Sequence, residues 1–169
     1  MSYQITILIS SEFITSKQGS LVLWRKMDRV DEFDNITTRE RKFTSMSSNV
    51  KERIQLTFHR FMKKEKGIPK IEIEFNKDSL QHLDPFNSNH LKTRELPQKT
   101  LKLASKKIVT QAYILPHHSI GEVEYKKYEL PGGYFMNQGF YVYRNRRLIT
   151  RGTWLRLTHR SELTKLVRV

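Results

Sequence analysis

At 169 residues, with 37% hydrophobic and 28% charged side chains, the chain is long enough for one domain or one and a piece, and too apolar to be disordered throughout. Lysine and arginine number 31 against 17 acids, a net charge of +14 that favours polyanionic partners; the alternative is a basic surface that serves solubility or pairs with an acidic neighbour. The absence of cysteine excludes disulfides, thiolate catalysis and cysteine-ligated zinc. No apolar run reaches the roughly 20 residues of a membrane span, and MSYQITILIS lacks the basic region and cleavage site of a secretory leader, so a cytoplasmic chain with no membrane partner is expected.

In chain order, the β-branched run Tyr3 to Ile9 predicts a strand. Ser10 to Gly19 is turn-like, Ser20 to Met27 predicts a second strand, and Asp28 to Thr37 is a polar connector. Phe43, Met46, Val50, Ile54, Phe58 and Phe61 recur at steps of three or four, which predicts one long helix over 38–66. Asn35 and Thr37 are candidate caps, and Gly67 with Pro69 ends the helix. Short polar side chains compete with the backbone, so the stretch SMSSN predicts a break within it. KIEIEFN, residues 70–76, alternates as a half-buried strand does, and Asn76 to Asp78 is a turn.

Residues 81–98 read as a long irregular loop. Thr100 to Ala104 and Ile108 to Leu115 predict strands, the second closed by Pro116, and the alternation of Val123 to Leu130 predicts another. Pro131-Gly132-Gly133 is a break. Gly139 to Tyr143 and Leu148 to Arg151 predict a hairpin turning on Asn145-Arg146. Ser161 caps one helical turn reaching Leu166, and Val167 to Val169 begins a further strand.

The motifs of several chemistries are missing. There is no G-x-x-x-x-G-K loop, G-x-G-x-x-G, H-E-x-x-H or G-x-S-x-G, and the six histidines show no helical metal spacing. Asp84, with Glu124 and Lys126 two residues apart on a predicted strand, provides the parts of a Mg²⁺-dependent nuclease, although E-x-K also arises by chance in so charged a chain. The hairpin is more specific. Arg144, Arg146 and Arg147 crowd its tip, either as a soluble turn or facing phosphates or acidic side chains. Residues 139–169 hold eight Lys or Arg, at 144, 146, 147, 151, 156, 160, 165 and 168, against one acid, Glu162. Tyr141, Tyr143 and Trp154 offer stacking surface or sheet packing.

The stretch QGFYVYRNRRLI, residues 138–149, resembles the hairpin in the second domain of GHKL-type ATPases, the superfamily of gyrase B, histidine kinases, MutL and MORC-like bacterial ATP-binding proteins. GSLVLWRKMDRV (19–30), LTFHRFM (56–62) and FNKDSLQHLDPF (75–86) resemble, in the same order, the closing strand of the ATPase domain, the following helix, and the strand and loop beyond it. The resemblance implies an α+β fold, a mainly antiparallel twisted sheet with a long helix like that of the transducer domain. Residues 1–30 would be closing strands of an incomplete ATPase domain, 31–66 a connecting helix, and 67–169 a transducer-like domain incomplete at its C-terminus. No predicted helix carries the superfamily's E-x-x-x-N, and D-x-G-x-G is absent, so the chain is expected to be a fragment or one half of a split protein that does not hydrolyse ATP alone. ATP and Mg²⁺ belong only to the complete ATPase, near whose nucleotide Gly19 and Ser20 would lie. The implied partners are the missing ATPase portion, a second copy in the full-length context, and DNA, touched by Arg144, Asn145, Arg146, Arg147 and Arg151. A stand-alone basic nucleic-acid-binding module is the alternative.

Overall fold

The computed structural model describes residues 3–7 and 35–169, and shows an α+β chain with one long helix and several small, mostly antiparallel sheets. The turn expected over Ser10 to Gly19, the strand over Ser20 to Met27 and most of the following connector lie outside the described residues. Two compact units divide at His82 and Leu83.

In the first unit, β1 (Tyr3–Ile7) pairs in parallel with β2 (Ile71–Phe75), which pairs antiparallel with β3 (Asp78–Ser79). A parallel pair needs a long crossover, here one that includes α1 (Ile36–Thr57) and the single turn α2 (His59–Met62). Asn35 caps α1, its side-chain oxygen accepting from the Thr37 amide at 2.9 Å. The expected break at SMSSN does not occur. The helix runs through those residues, with Thr44 Oγ1 donating to the Glu40 carbonyl one turn back, and instead ends at Phe58, where φ is −106° and ψ 11°. Tertiary packing decides the position. Ile54 and Phe58 pack on the core of Met62, Ile73, Phe75 and Leu80, and Gln55 Nε2 donates to the Gln81 carbonyl at 2.8 Å. The alternation expected of 70–76 is present, with Ile73 and Phe75 buried.

The second unit opens with a loop organised by Asp84, whose carboxylate accepts from the amides of Phe86 and Ser88, both at 2.9 Å, and from Ser88 Oγ at 2.6 Å. The loop is therefore ordered, and it leads into β4 (Arg94–Glu95). β5 (Lys99–Leu103) and β6 (Lys106–Thr110) form a two-stranded ribbon. The single strand expected over 108–115 is divided, because β6 pairs with β5 while β7 (Tyr113–Ile114) lies between β4 and β10 (Val167–Arg168).

The strand expected over 123–130 is a helix instead, α3 (Glu122–Lys127). In a strand Val123 and Tyr125 would share the inner face, yet Val123 is 86% exposed. The inward residues are Tyr125, stacked on Tyr134 at 4.2 Å, and Tyr128, edge-on to His90 at 5.8 Å, and a step of three is helical. Glu122 and Glu124 lie in the first turn, where the helix dipole favours acids, and Glu122 pairs with Lys126 at 2.7 Å one turn on. After the break at Pro131 to Gly133 come the one-turn helix α4 (Gly133–Met136) and the hairpin β8 (Phe140–Arg144) and β9 (Arg147–Thr153). Ser161 caps a 3-10 turn, Glu162–Thr164, as its sequence predicts.

The core of this unit gathers Phe86, Leu115, Leu130, Tyr134, Tyr141 and Leu148. Burial pushes the Tyr134 phenol up to about 12 and raises that of Tyr141 as well. Above pH 10 the unfolded chain gives up protons that the folded chain keeps. Stability is therefore expected to be full below pH 10 and to fall steadily as pH rises from 10 to 12, in urea titrations at stepped alkaline pH.

Candidate nucleic-acid interface

The β8–β9 hairpin forms where the sequence places it. Arg144 pairs with Arg147, and the two residues between them, Asn145 and Arg146, stand at φ 48° and 69°, the positive angles of a type I′ turn. The register shifts on either side of Val142, which bends the ribbon.

Its base is fixed by a buried polar node that the sequence reading passed over. Gln138 is 0% exposed. Its Oε1 accepts from Trp154 Nε1 at 3.1 Å, the Ser161 amide at 3.1 Å and Thr164 Oγ1 at 2.6 Å, while its Nε2 donates to the Phe135 carbonyl at 2.8 Å. One side chain thus ties α4, the end of β9 and the 3-10 turn together. Beside it, Asn137 Nδ2 donates to the carbonyls of Pro131 at 2.9 Å and Gly133 at 2.8 Å, and the Asn137 carbonyl accepts from the Tyr141 hydroxyl at 2.8 Å. Gly139 exchanges backbone bonds with the last strand, its amide donating to Val167 and its carbonyl accepting from Val169, both at 2.9 Å. The signal available in the sequence was the polar pair Asn137-Gln138 set directly before an aromatic strand.

This node assigns the aromatics to packing. Tyr141 is buried against Phe86 at 5.3 Å between ring centres, and Trp154 lies edge-on to Phe140 at 5.6 Å. The positive charge at the surface of this region is also smaller than the sequence count, because one arginine is buried and one lysine is paired. Arg168 is only 1% exposed, its guanidinium over the rings of Tyr134 and Tyr141 and its Nη1 donating to the Pro85 carbonyl. Burial lowers the Arg168 pKa, against the opposing influence of Tyr141, Tyr134 and Asp84. Lys165 is paired with Glu162 at 2.8 Å, and Arg160 donates to the Gly152 carbonyl at 2.8 Å.

The tip is where like charges remain together. Arg144, Asn145 and Arg147 are exposed, and Arg146 partly so. Arg144 and Arg147 are direct cross-strand neighbours, which sets two guanidinium side chains side by side at the end of the hairpin. Arg151 is apart from this group, half-buried on β9 and near enough to Tyr141 to oppose the rise in its pKa. Gly19 and Ser20 lie outside the described residues.

The residues of the nuclease reading do not share a face. On α3, Glu124 and Lys126 point to different sides, Glu124 meeting His90 Nε2 at 2.9 Å and Lys126 meeting Glu122. The Asp84 carboxylate is taken by its own loop. Among the described residues no three His, Cys, Asp or Glu side chains gather as a metal ion requires, and no described helix is long and apolar enough to cross a membrane.

A second turn resembles the tip locally. Leu155 and Arg156 both have positive φ, 54° and 65°, and the Leu157 amide donates to the Trp154 carbonyl at 2.9 Å. Arg156→Gly is expected to raise stability by about 0.5–1 kcal/mol in urea denaturation, because glycine adopts that angle without the steric cost. Searches with protein-family models, against curated proteins and against solved structures found no match to this chain.

Proposed function

We propose that the chain is the coupling part of a GHKL-type ATPase, related to MutL and the MORC-like proteins, and that its β8–β9 hairpin meets the phosphates of DNA. The ordered resemblance of residues 19–30, 56–62, 75–86 and 138–149 supports the family reading. The observation that carries the contact is the opposed Arg144–Arg147 pair at the tip of a hairpin whose base is held by Gln138. In this reading ATP and Mg²⁺ bind a portion supplied by another polypeptide or by the rest of the protein, and a second copy completes the working assembly in the cytoplasm. The net charge of +14 also supports a second reading, a basic module that binds nucleic acid on its own.

Titration of the chain with labelled duplex DNA at low and moderate salt tests the contact. The expected result is salt-dependent binding whose log–log slope falls by about 2–3 in the Arg144→Ala, Arg146→Ala, Arg147→Ala triple variant. Binding that the triple variant leaves unchanged would remove DNA from the tip. Recovery of ATP hydrolysis on mixing with a separately expressed ATPase portion distinguishes the two readings, since a stand-alone module would not contribute to it.

A further inference from the structure

The β5–β6 ribbon is unlike the other sheets. Every one of its ten paired residues is exposed except Thr110, which is half-buried. Its base continues the β4–β7 pair, where the Leu96 amide donates to the Ala112 carbonyl at 2.9 Å and the Gln111 side chain donates to the Leu96 carbonyl. From there five residue pairs extend to the turn at Ala104, a reach of about 17 Å. A two-stranded ribbon with both faces in water is marginal in isolation, so its sequence is informative about what it meets.

Residues 96–121 contain four lysines, at 99, 102, 106 and 107, and no acid at all. The register puts Lys102 directly opposite Lys107, flanked on the same face by the Thr100–Val109 pair. Two ammonium groups at a direct cross-strand position repel, and nothing in the ribbon's sequence answers them. Lys99 and Lys106 stand at either end of the opposite face, around Leu101, Leu103 and Ile108. A second copy of this chain, itself at +14, is a poor occupant on charge grounds.

We propose that the β5–β6 ribbon is a nucleic-acid-contacting arm, with Lys102 and Lys107 straddling a backbone phosphate. A two-stranded ribbon has the width that a duplex major groove admits, and lysine serves phosphate as a mobile point charge. The contact stands on the charge and register of 99–110 alone and does not depend on the arginine-tipped hairpin. Lysine contacts of this kind position a nucleic acid without reading its sequence.

The test is titration of the whole chain with a 20-base-pair duplex across a salt series. Wild type would be compared with Lys102→Gln/Lys107→Gln, Lys102→Arg/Lys107→Arg and the hairpin triple variant. The glutamine pair is expected to weaken binding about five- to tenfold at 0.1 M salt and to reduce the salt slope by about 2, while the arginine pair binds as wild type does. Because the substituted positions are exposed and mutually repulsive, the glutamine pair should melt no lower than wild type, which separates lost contact from lost fold. Unchanged affinity and slope in the glutamine pair, or no binding by wild type at low salt, would overturn the arm. So would tighter binding to polyglutamate than to DNA that disappears in the glutamine pair, since the surface would then take an acidic protein. Loss in the glutamine pair with none in the hairpin triple would leave the arm standing and remove the hairpin contact.

Discussion

Gln138→Ala is expected to lower the unfolding free energy of the second unit by about 3–5 kcal/mol. The side chain is wholly buried, accepts three hydrogen bonds and donates one. Removing it leaves the Trp154 indole N–H, the Ser161 amide, the Thr164 hydroxyl and the Phe135 carbonyl without the partner each now has. A buried group orphaned in this way costs about 1–3 kcal/mol, and local rearrangement recovers part of the total. Gln138→Met restores the volume without the hydrogen bonds, so it should recover only the cavity portion of the loss. Urea denaturation gives the magnitude, and exchange of the Trp154 indole proton places the damage. A loss below about 1 kcal/mol would mean that the node tightens the hairpin without stabilising the unit.

Gly139→Ala is expected to cost about 3–4 kcal/mol, for a reason of space and backbone angle. Gly139 stands at φ 101°, and a β-carbon there would lie 2.7 Å from the Thr153 carbonyl oxygen, 2.8 Å from its carbon and 3.1 Å from the Trp154 ring. The obstruction is backbone, which cannot swing aside as a flexible side chain would. Either β8 and β9 separate or the bonds to Val167 and Val169 break. Gly67→Ala is the matched control: φ is 77°, but nothing lies within 4 Å of the added carbon, so only the conformational cost of about 1 kcal/mol applies. Thermal melting of the two variants side by side should separate them clearly. Equal losses would show that the angle alone, and not the close approach, makes glycine necessary at 139.

What the sequence made legible follows from how local each signal is. The hairpin turn, the Asn35 and Ser161 caps and the alternating strand at 71–75 depend on neighbours within a few residues, and they are found where the pattern placed them. The helix end at Phe58 and the division of 108–115 depend on strands distant in sequence, and both were misplaced. The segment at 123–130 shows a different limit. Val-x-Tyr-x spacing satisfies a period of two as well as tyrosines three apart satisfy a helix, and only the burial of Tyr134 and His90 against those rings decides between them. The same segment carries Glu124 and Lys126, which a strand would set on one face and the helix sets on different sides. At the candidate interface the arginine tip was legible because it is a run of four residues. Gln138 was not, because its partners at 135, 154, 161 and 164 meet only in the folded unit.

The burial of Arg168 has a consequence for how the second unit assembles. Its guanidinium bonds the carbonyl of Pro85, 83 residues earlier, and its strand supplies the backbone partners of Gly139, Tyr141, Leu115 and Tyr113 through residues 166–169. The unit is therefore closed by a clasp joining its first and last segments. The entropy of bringing such distant parts together is spent before most of the core can form, so folding should be slow and all-or-none, with no stable half. A nascent chain that has emerged only as far as the hairpin would expose Tyr134, Tyr141 and Phe86 together, which makes the interval before residues 166–169 arrive the period of greatest risk of aggregation.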